Sequence, residues 1–250
     1  MDRRYGVDGC RGGWFYFWIN GRVFGHGVAE ALSTIVSERT ASVILVDIPI
    51  GLTNEPGRRD CDTEARKLLG RRASSVYAAP CRAALEAESY EDACEVNQRI
   101  TGRKISLQCW NIVPKIREVD ALLQSRGRAR LRLRESHPEL CFAALNRGRP
   151  MSAGKKTPTG VEERLAVLAR RWRPARQAFE QAMKSYRRAE VGRDDILDAM
   201  VLAVTASLPA GRRTTLPASP RRDEKGLRME MVRAVLPMDR RIRKPIEIGL

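Results

Sequence analysis

Residues 43–52 read V-I-L-V-D-I-P-I-G-L. Four apolar residues, three of them β-branched, lead into one carboxylate, Asp47, and then into proline and glycine. A short apolar run bounded by turn formers predicts a buried strand. A carboxylate at the end of such a strand is costly unless something positive meets it. In open α/β sheets, ligand sites collect at the carboxyl ends of the strands. Asp47 is therefore the first candidate functional residue.

Upstream, residues 4–8 predict a first strand ending in Asp8, followed by a glycine-rich turn, G-C-R-G-G, at 9–13. Residues 14–19, W-F-Y-F-W-I, favour a strand, and Asn20-Gly21 is a strong hairpin signal. A third strand is expected at 22–27. A helix over 28–39 would place Val28, Leu32, Ile35 and Val36 on one face. The order is thus three antiparallel strands, a helix and a fourth strand. A helical crossover returns the fourth strand parallel to the first. Asp8 and Asp47 then share one sheet edge, with backbones roughly 5 Å apart if the strands are neighbours. Ionised carboxylates that close repel, so one holds a proton or both share a cation. The alternative is two unrelated, solvated acids at strand ends.

Downstream, residues 53–126 abandon the sheet pattern and predict an α-helical insertion, with helices at 90–100 and 107–124. In the latter, Trp110, Ile112, Ile116, Val119 and Leu123 are candidate packing residues. Residues 126–135 alternate arginine with small or apolar residues. On a strand, Arg128, Arg130, Arg132 and Arg134 would share one face and Glu135 the apolar face with Leu131 and Leu133. Glu135 is a candidate catalytic acid; the alternative is an acid just past a strand end. His137-Pro138-Glu139 opens a helix, and His137, with no evident partner, reads as a cap or packing residue. The polar loop at 146–160 is no Walker motif, because Gly148 and Gly154 are one residue too far apart and Lys155 precedes another lysine. Lys155 and Lys156 are still candidate phosphate contacts. Basic helices are expected at 161–172 and 175–190.

Residues 194–207, D-D-I-L-D-A-M-V-L-A-V-T-A-S, predict a buried helix. Asp198 shares a face with Asp195, three residues before it, and with Asp194, four before it. The helix dipole accounts for acids in a first turn. It accounts less well for Asp198, at the apolar edge, where a carboxylate suits a metal ligand. Residues 210–226 read as a loop and 227–236 as a last strand. One domain is expected over 1–237, with a basic tail at 238–250.

The chain has 250 residues, 43% of them hydrophobic, and a formal net charge of +16. Such an excess favours a polyanionic partner, most plausibly nucleic acid; the alternative is a generally basic surface. The six cysteines form no C-x-x-C pair and there are only two histidines, so a clustered zinc site is not expected. The N-terminus lacks an apolar signal region, and no apolar run reaches the ~18 residues a membrane span needs. A cytoplasmic protein with reduced thiols is the expectation.

Several strings together carry a family resemblance: G-V-D-G-C-R-G-G-W, V-D-I-P-I-G-L, W-N-I-V-P-K-I-R-E-V-D, E-S-H-P-E-L-C-F, K-K-T-P-x-G-x-E-E-R and D-D-I-L-D-A. They resemble the predicted ribonuclease H-like nucleases grouped as domain of unknown function 429. The resemblance implies a ribonuclease H-like mixed sheet, three antiparallel strands then parallel ones, flanked by helices. It also implies an acid on the first strand (Asp8), a second near the fourth (Asp47) and a pair opening the last core helix (Asp195 and Asp198).

The expected function is a divalent-metal-dependent nuclease. Asp8, Asp47, Asp198 and either Asp195 or Asp194 would hold one or two Mg²⁺ or Mn²⁺ ions. The arginine face, Lys155 and Lys156 would hold the phosphate backbone. Two alternatives stand beside it. One is an actin-like nucleotide-binding phosphotransferase, which would use the glycine-bearing turn after Asp8. The other is a non-catalytic nucleic-acid-binding module.

Overall fold

The computed structural model describes residues 2–125, 127 and 132–235. Strands β1 (Arg3–Cys10), β2 (Gly13–Asn20) and β3 (Val23–Ala29) form an antiparallel meander. Helix α1 (Leu32–Ser37) crosses over, and β4 (Ala41–Val46) returns parallel to β1 on its other side. Strand β5 (Leu133–Glu135) then pairs parallel with β4, completing a five-stranded mixed sheet in the order β3-β2-β1-β4-β5.

Between β4 and β5 the chain is helical: α2 (Asp60–Leu69), α3 (Tyr90–Thr101) and α4 (Leu107–Ser125), with two 3₁₀ turns between α2 and α3. After β5 come α5 (Pro138–Leu145), α6 (Pro158–Arg171), α7 (Ala175–Ser185) and α8 (Arg193–Ser207). A small antiparallel sheet of β6 (Arg213–Leu216) and β7 (Met231–Ala234) follows.

Strand alternation sorts the core into two layers. Tyr5, Val7, Ile44 and Val46 pack against Leu32, Ile35 and Val36 of α1 and Ile116 and Val119 of α4. Phe15, Phe17 and Leu45 face the other way, toward α5, α6 and α8. Gly6 lies on this second face, and a Cβ there would stand 2.0 Å from the Ala199 carbonyl oxygen and 2.3 Å from the Ala203 nitrogen. Only a residue without a side chain lets α8 lie this close to β1. Asp8, two residues on, faces α8 as well. A one-residue slip of β1 would drive Asp8 into the α1/α4 layer, so burial on both faces fixes the register.

Four sequence expectations change. Val28 belongs to β3, and α1 starts only at Leu32. The Gly9–Gly13 turn shrinks to Arg11-Gly12, because Cys10 pairs with Gly13 across a two-residue hairpin loop. Among the described residues of the strand expected at 126–135, Leu133–Glu135 are strand, and Gly127 and Arg132 are in helical conformation. Among the described residues, β4 pairs with that stretch through Ile44–Val46. Arg128 and Arg130 lie outside the described residues. Finally, the expected loop at 210–226 contains β6, which β7 pairs along its whole length.

The expected tail at 238–250 also lies outside the described residues. Among the described residues no helix is long and apolar enough to cross a membrane.

Candidate active site

The parallel pairing of β1 with β4 sets Val7 opposite Val46, and the Asp47 amide donates to the Val7 carbonyl at 3.0 Å. Asp8 and Asp47 therefore follow one another across neighbouring strands, at the carboxyl edge of the sheet. Helix α8 brings Asp198 to the same place: Ala199, Leu202 and Ala203 lie over Gly6, and Asp198, just before them, lines one cavity with Asp8 and Asp47. Among the described residues neither Asp8 nor Asp47 makes a side-chain hydrogen bond or ion pair. Asp198 is buried; its Oδ2 accepts from Lys155 Nζ at 2.6 Å, and its Oδ1 is buried without a partner.

The electrostatics follow from this crowding. Burial holds the Asp8 carboxyl well above the ordinary aspartate range, and the charges of Asp47 and Asp198 push it further, against Lys155. Burial also raises Asp47, opposed by His137 and Lys155 and reinforced by Glu139. Asp198 is pushed up to about 6 by burial, against the pull of the Lys155 ammonium. On Lys155, burial disfavours the charge, but Asp198 and Asp8 outweigh it and keep the ammonium protonated. Crowded buried acids of this kind ask for added positive charge.

These groups line a cavity of about 340 Å³. Its other wall includes Arg72, Lys115, Tyr77, His137 and Glu139, side chains to which sequence alone assigned no role in the site. Lys115 Nζ donates to the Gly13 carbonyl at 2.6 Å and lies 4.6 Å from the Trp14 ring centroid. His137 occupies the N-cap position of α5 without a side-chain capping bond. Its Nε2 meets the Ser75 carbonyl at 3.1 Å, and its Nδ1 is buried with no partner. That carbonyl can only accept, so Nε2 donates to it. Glu139 pairs through Oε1 with the buried Arg164, and its Oε2 is buried and unpartnered. The E-S-H-P-E string held the only sequence signal for these two residues. It showed a helix start, not a cavity wall.

Other expected site residues divide. Asp195 Oδ2 accepts from the Gly192 amide at 2.8 Å and so caps its own helix. Asp194 turns to the lysines, 3.7 Å from Lys155 and 4.0 Å from Lys156. Lys155 reaches the acids while its side chain stays 40% exposed, and the Lys156 side chain is 82% exposed.

Glu135 lines the same cavity but is not brought to the other acids. It pairs with Val46 on the α1/α4 face. Arg59 holds both of its oxygens at 2.8 Å, and the Ile50 amide donates to it at 2.6 Å. Arg134 pairs with Glu230 at 2.7 Å, and Arg132 reaches the Glu38 carbonyl at 3.5 Å; neither lines the cavity.

The donor set of Asp8, Asp47 and Asp198, all oxygen and with one orphaned buried oxygen, fits a hard divalent cation. The three carboxylates stand farther apart than one tight coordination shell. Among the described residues, the only three His, Cys, Asp or Glu groups with ligand atoms all within 4.8 Å are Cys61, Asp62 and Glu135. Arg59 already saturates that cluster, standing 2.6 Å from Asp62 as well as on Glu135. At the Asp8 site, Lys155 supplies a positive charge that a bound ion would replace or join.

A family model described as "Protein of unknown function (DUF429)" matches residues 6–222. The chain belongs to this family. The DUF429 match takes in β1 from Gly6 onward, the other four strands of the main sheet, α8 and every carboxylate of the cavity, and ends before β7. No curated protein and no solved structure matches the chain significantly.

Proposed function

We propose that this DUF429 protein is a divalent-metal-dependent nuclease with a ribonuclease H-like core, cutting phosphodiester bonds of nucleic acid. The observation that carries this reading is the meeting of Asp8 on β1, Asp47 just after β4 and Asp198 on α8 in one cavity with a buried, unpartnered carboxylate oxygen. The strand order and the placing of acids on the first strand, beside the fourth and on the late helix support it. Asp8, Asp47 and Asp198 would hold one or two Mg²⁺ or Mn²⁺ ions, with Asp194 or Asp195 alongside.

Bound there, a divalent ion supplies Lewis-acid charge to the phosphodiester and lowers the pKa of an attacking water. Lys155 and Lys115 add fixed positive charge around the entering phosphate.

Asp47→Asn is expected to abolish Mn²⁺-dependent cleavage of DNA and RNA while leaving their affinity within about twofold. Equal cleavage by the variant and the parent would remove the mechanism.

A specific observation favours a second reading. The 2.6 Å pair between Lys155 and Asp198 already neutralises part of the acid cluster, as a non-catalytic nucleic-acid-binding module would need. Binding without cleavage across several metals and substrates would favour that module. An actin-like phosphotransferase would use the glycine-bearing turn after Asp8, here the two-residue loop Arg11-Gly12; saturable ATP binding by calorimetry would favour it.

A further inference from the structure

Beside the carboxylate cavity, and sharing Val76 and Tyr77 with it, lies a second pocket of about 250 Å³. Arg58, Arg66, Arg103 and Lys104 line it, and no carboxylate does. None of the four forms an ion pair among the described residues. Arg66 is spent on the wall, donating through Nη1 to the Ala73 and Val76 carbonyls at 2.7 Å each. Arg58 differs: it is half-buried, and its Nε is buried with no acceptor. Burial lowers its pKa, and the charges of Arg103 and Arg66 lower it further, with Asp62 opposing.

A half-buried guanidinium without an acceptor, among like charges, is a group whose partner is an anion. Seven arginines among the described residues pair with carboxylates, and Arg58 is not one of them. Here the acceptor must come from outside. The shared wall puts that anion next to the position of a phosphodiester at Asp8 and Asp47.

We propose that the Arg58–Arg103–Lys104 pocket is a phosphate subsite for a nucleic-acid strand whose neighbouring phosphodiester lies in the carboxylate cavity. The proposal rests on the nuclease reading for the position of the strand, not for the existence of the subsite. It also moves the backbone contacts from the arginines at 126–135 to the segments beginning α2 and following α3.

The test is fluorescence anisotropy with labelled single-stranded DNA and RNA, in EDTA so that nothing is cut. The full chain is compared with R58Q/R103Q and with the charge-matched R22Q/R39Q. Arg22 and Arg39 are exposed at the opposite edge of the sheet, in the β2–β3 turn and just before β4. R58Q/R103Q is expected to bind roughly tenfold more weakly and to reduce the slope of log K against log salt by about 1.4, some 0.7 for each single-strand phosphate that the protein no longer neutralises. R22Q/R39Q is expected to stay within about twofold of the parent. Equal losses in the two double variants would overturn the subsite.

Inorganic phosphate is the second probe. Competition with the oligonucleotide in the parent but not in R58Q/R103Q supports the proposal. Phosphate binding that is lost in R58Q/R103Q without any change in oligonucleotide affinity would overturn it. If R58Q/R103Q melts early, R103Q/K104Q, both exposed, takes its place with the same expected outcomes. Weakened binding with no cleavage under any metal would leave the subsite standing and the nuclease reading fallen; unchanged binding with intact Mn²⁺-dependent cleavage would do the reverse.

Discussion

Asp8 shows how a single residue can work against its own fold. It is buried beside Asp47 and Asp198 and has no hydrogen-bond donor among the described residues. Burial first, and the two acids second, raise its pKa well above the ordinary value. A raised native pKa means the folded protein holds a proton that the unfolded chain has released. The group therefore favours the fold below the ordinary aspartate range, and that contribution is lost as pH rises through the native value. Asparagine copies the protonated form at every pH. Without divalent metal, Asp8→Asn is expected to melt a few degrees above the parent at pH 8, with the gap closing below about pH 4. Thermal melts across that range check this. A variant that melts lower at pH 8 would mean that Asp8 is held by a favourable partner. Such tension between stability and an acid cluster is expected where the cluster exists to bind a cation.

Among the elements, the packing of α8 on β1 decides whether a site exists. Gly6→Ala would put a methyl group 2.0 Å from the Ala199 carbonyl oxygen, with backbone on both sides and nothing flexible to yield. Helix or strand must shift, at a cost of about 3 kcal/mol or more. Urea unfolding is expected to show that loss together with loss of metal binding; an unchanged midpoint would mean that the two elements are not packed as described.

This packing also marks what sequence could carry. The hairpin at Asn20-Gly21, the strand before Asp47 and the late buried helix were legible, because each follows from local period and turn chemistry. The role of Gly6 was not, since it depends on a helix nearly the whole chain away. Glu135 looked like a free acid on an apolar face because its partner, Arg59, arrives from the start of α2. The arginine alternation at 126–135 suggested a long strand, yet β4 pairs with three residues of it. His137 and Glu139 were visible as a helix start. Only the tertiary packing of Ser75 and Arg164 against them leaves a ring nitrogen and a carboxylate oxygen unpartnered in the cavity.

At the scale of the whole molecule, a chain of formal net charge +16 holds a cavity lined by Asp8, Asp47, Glu135, Glu139 and Asp198 at one edge of the sheet. A positive surface gathers polyanions from solution, and a cavity of buried carboxylates repels them unless a cation intervenes. Lys155 supplies one charge against the acids it faces. The account stands on a divalent ion completing that balance. The direct measurement is anomalous scattering from crystals soaked in millimolar MnCl₂. The expected result is one or two manganese peaks between Asp8, Asp47 and Asp198, with the Lys155 ammonium withdrawn from Asp198. A map without such a peak, with Lys155 still seated on Asp198, would contradict the account.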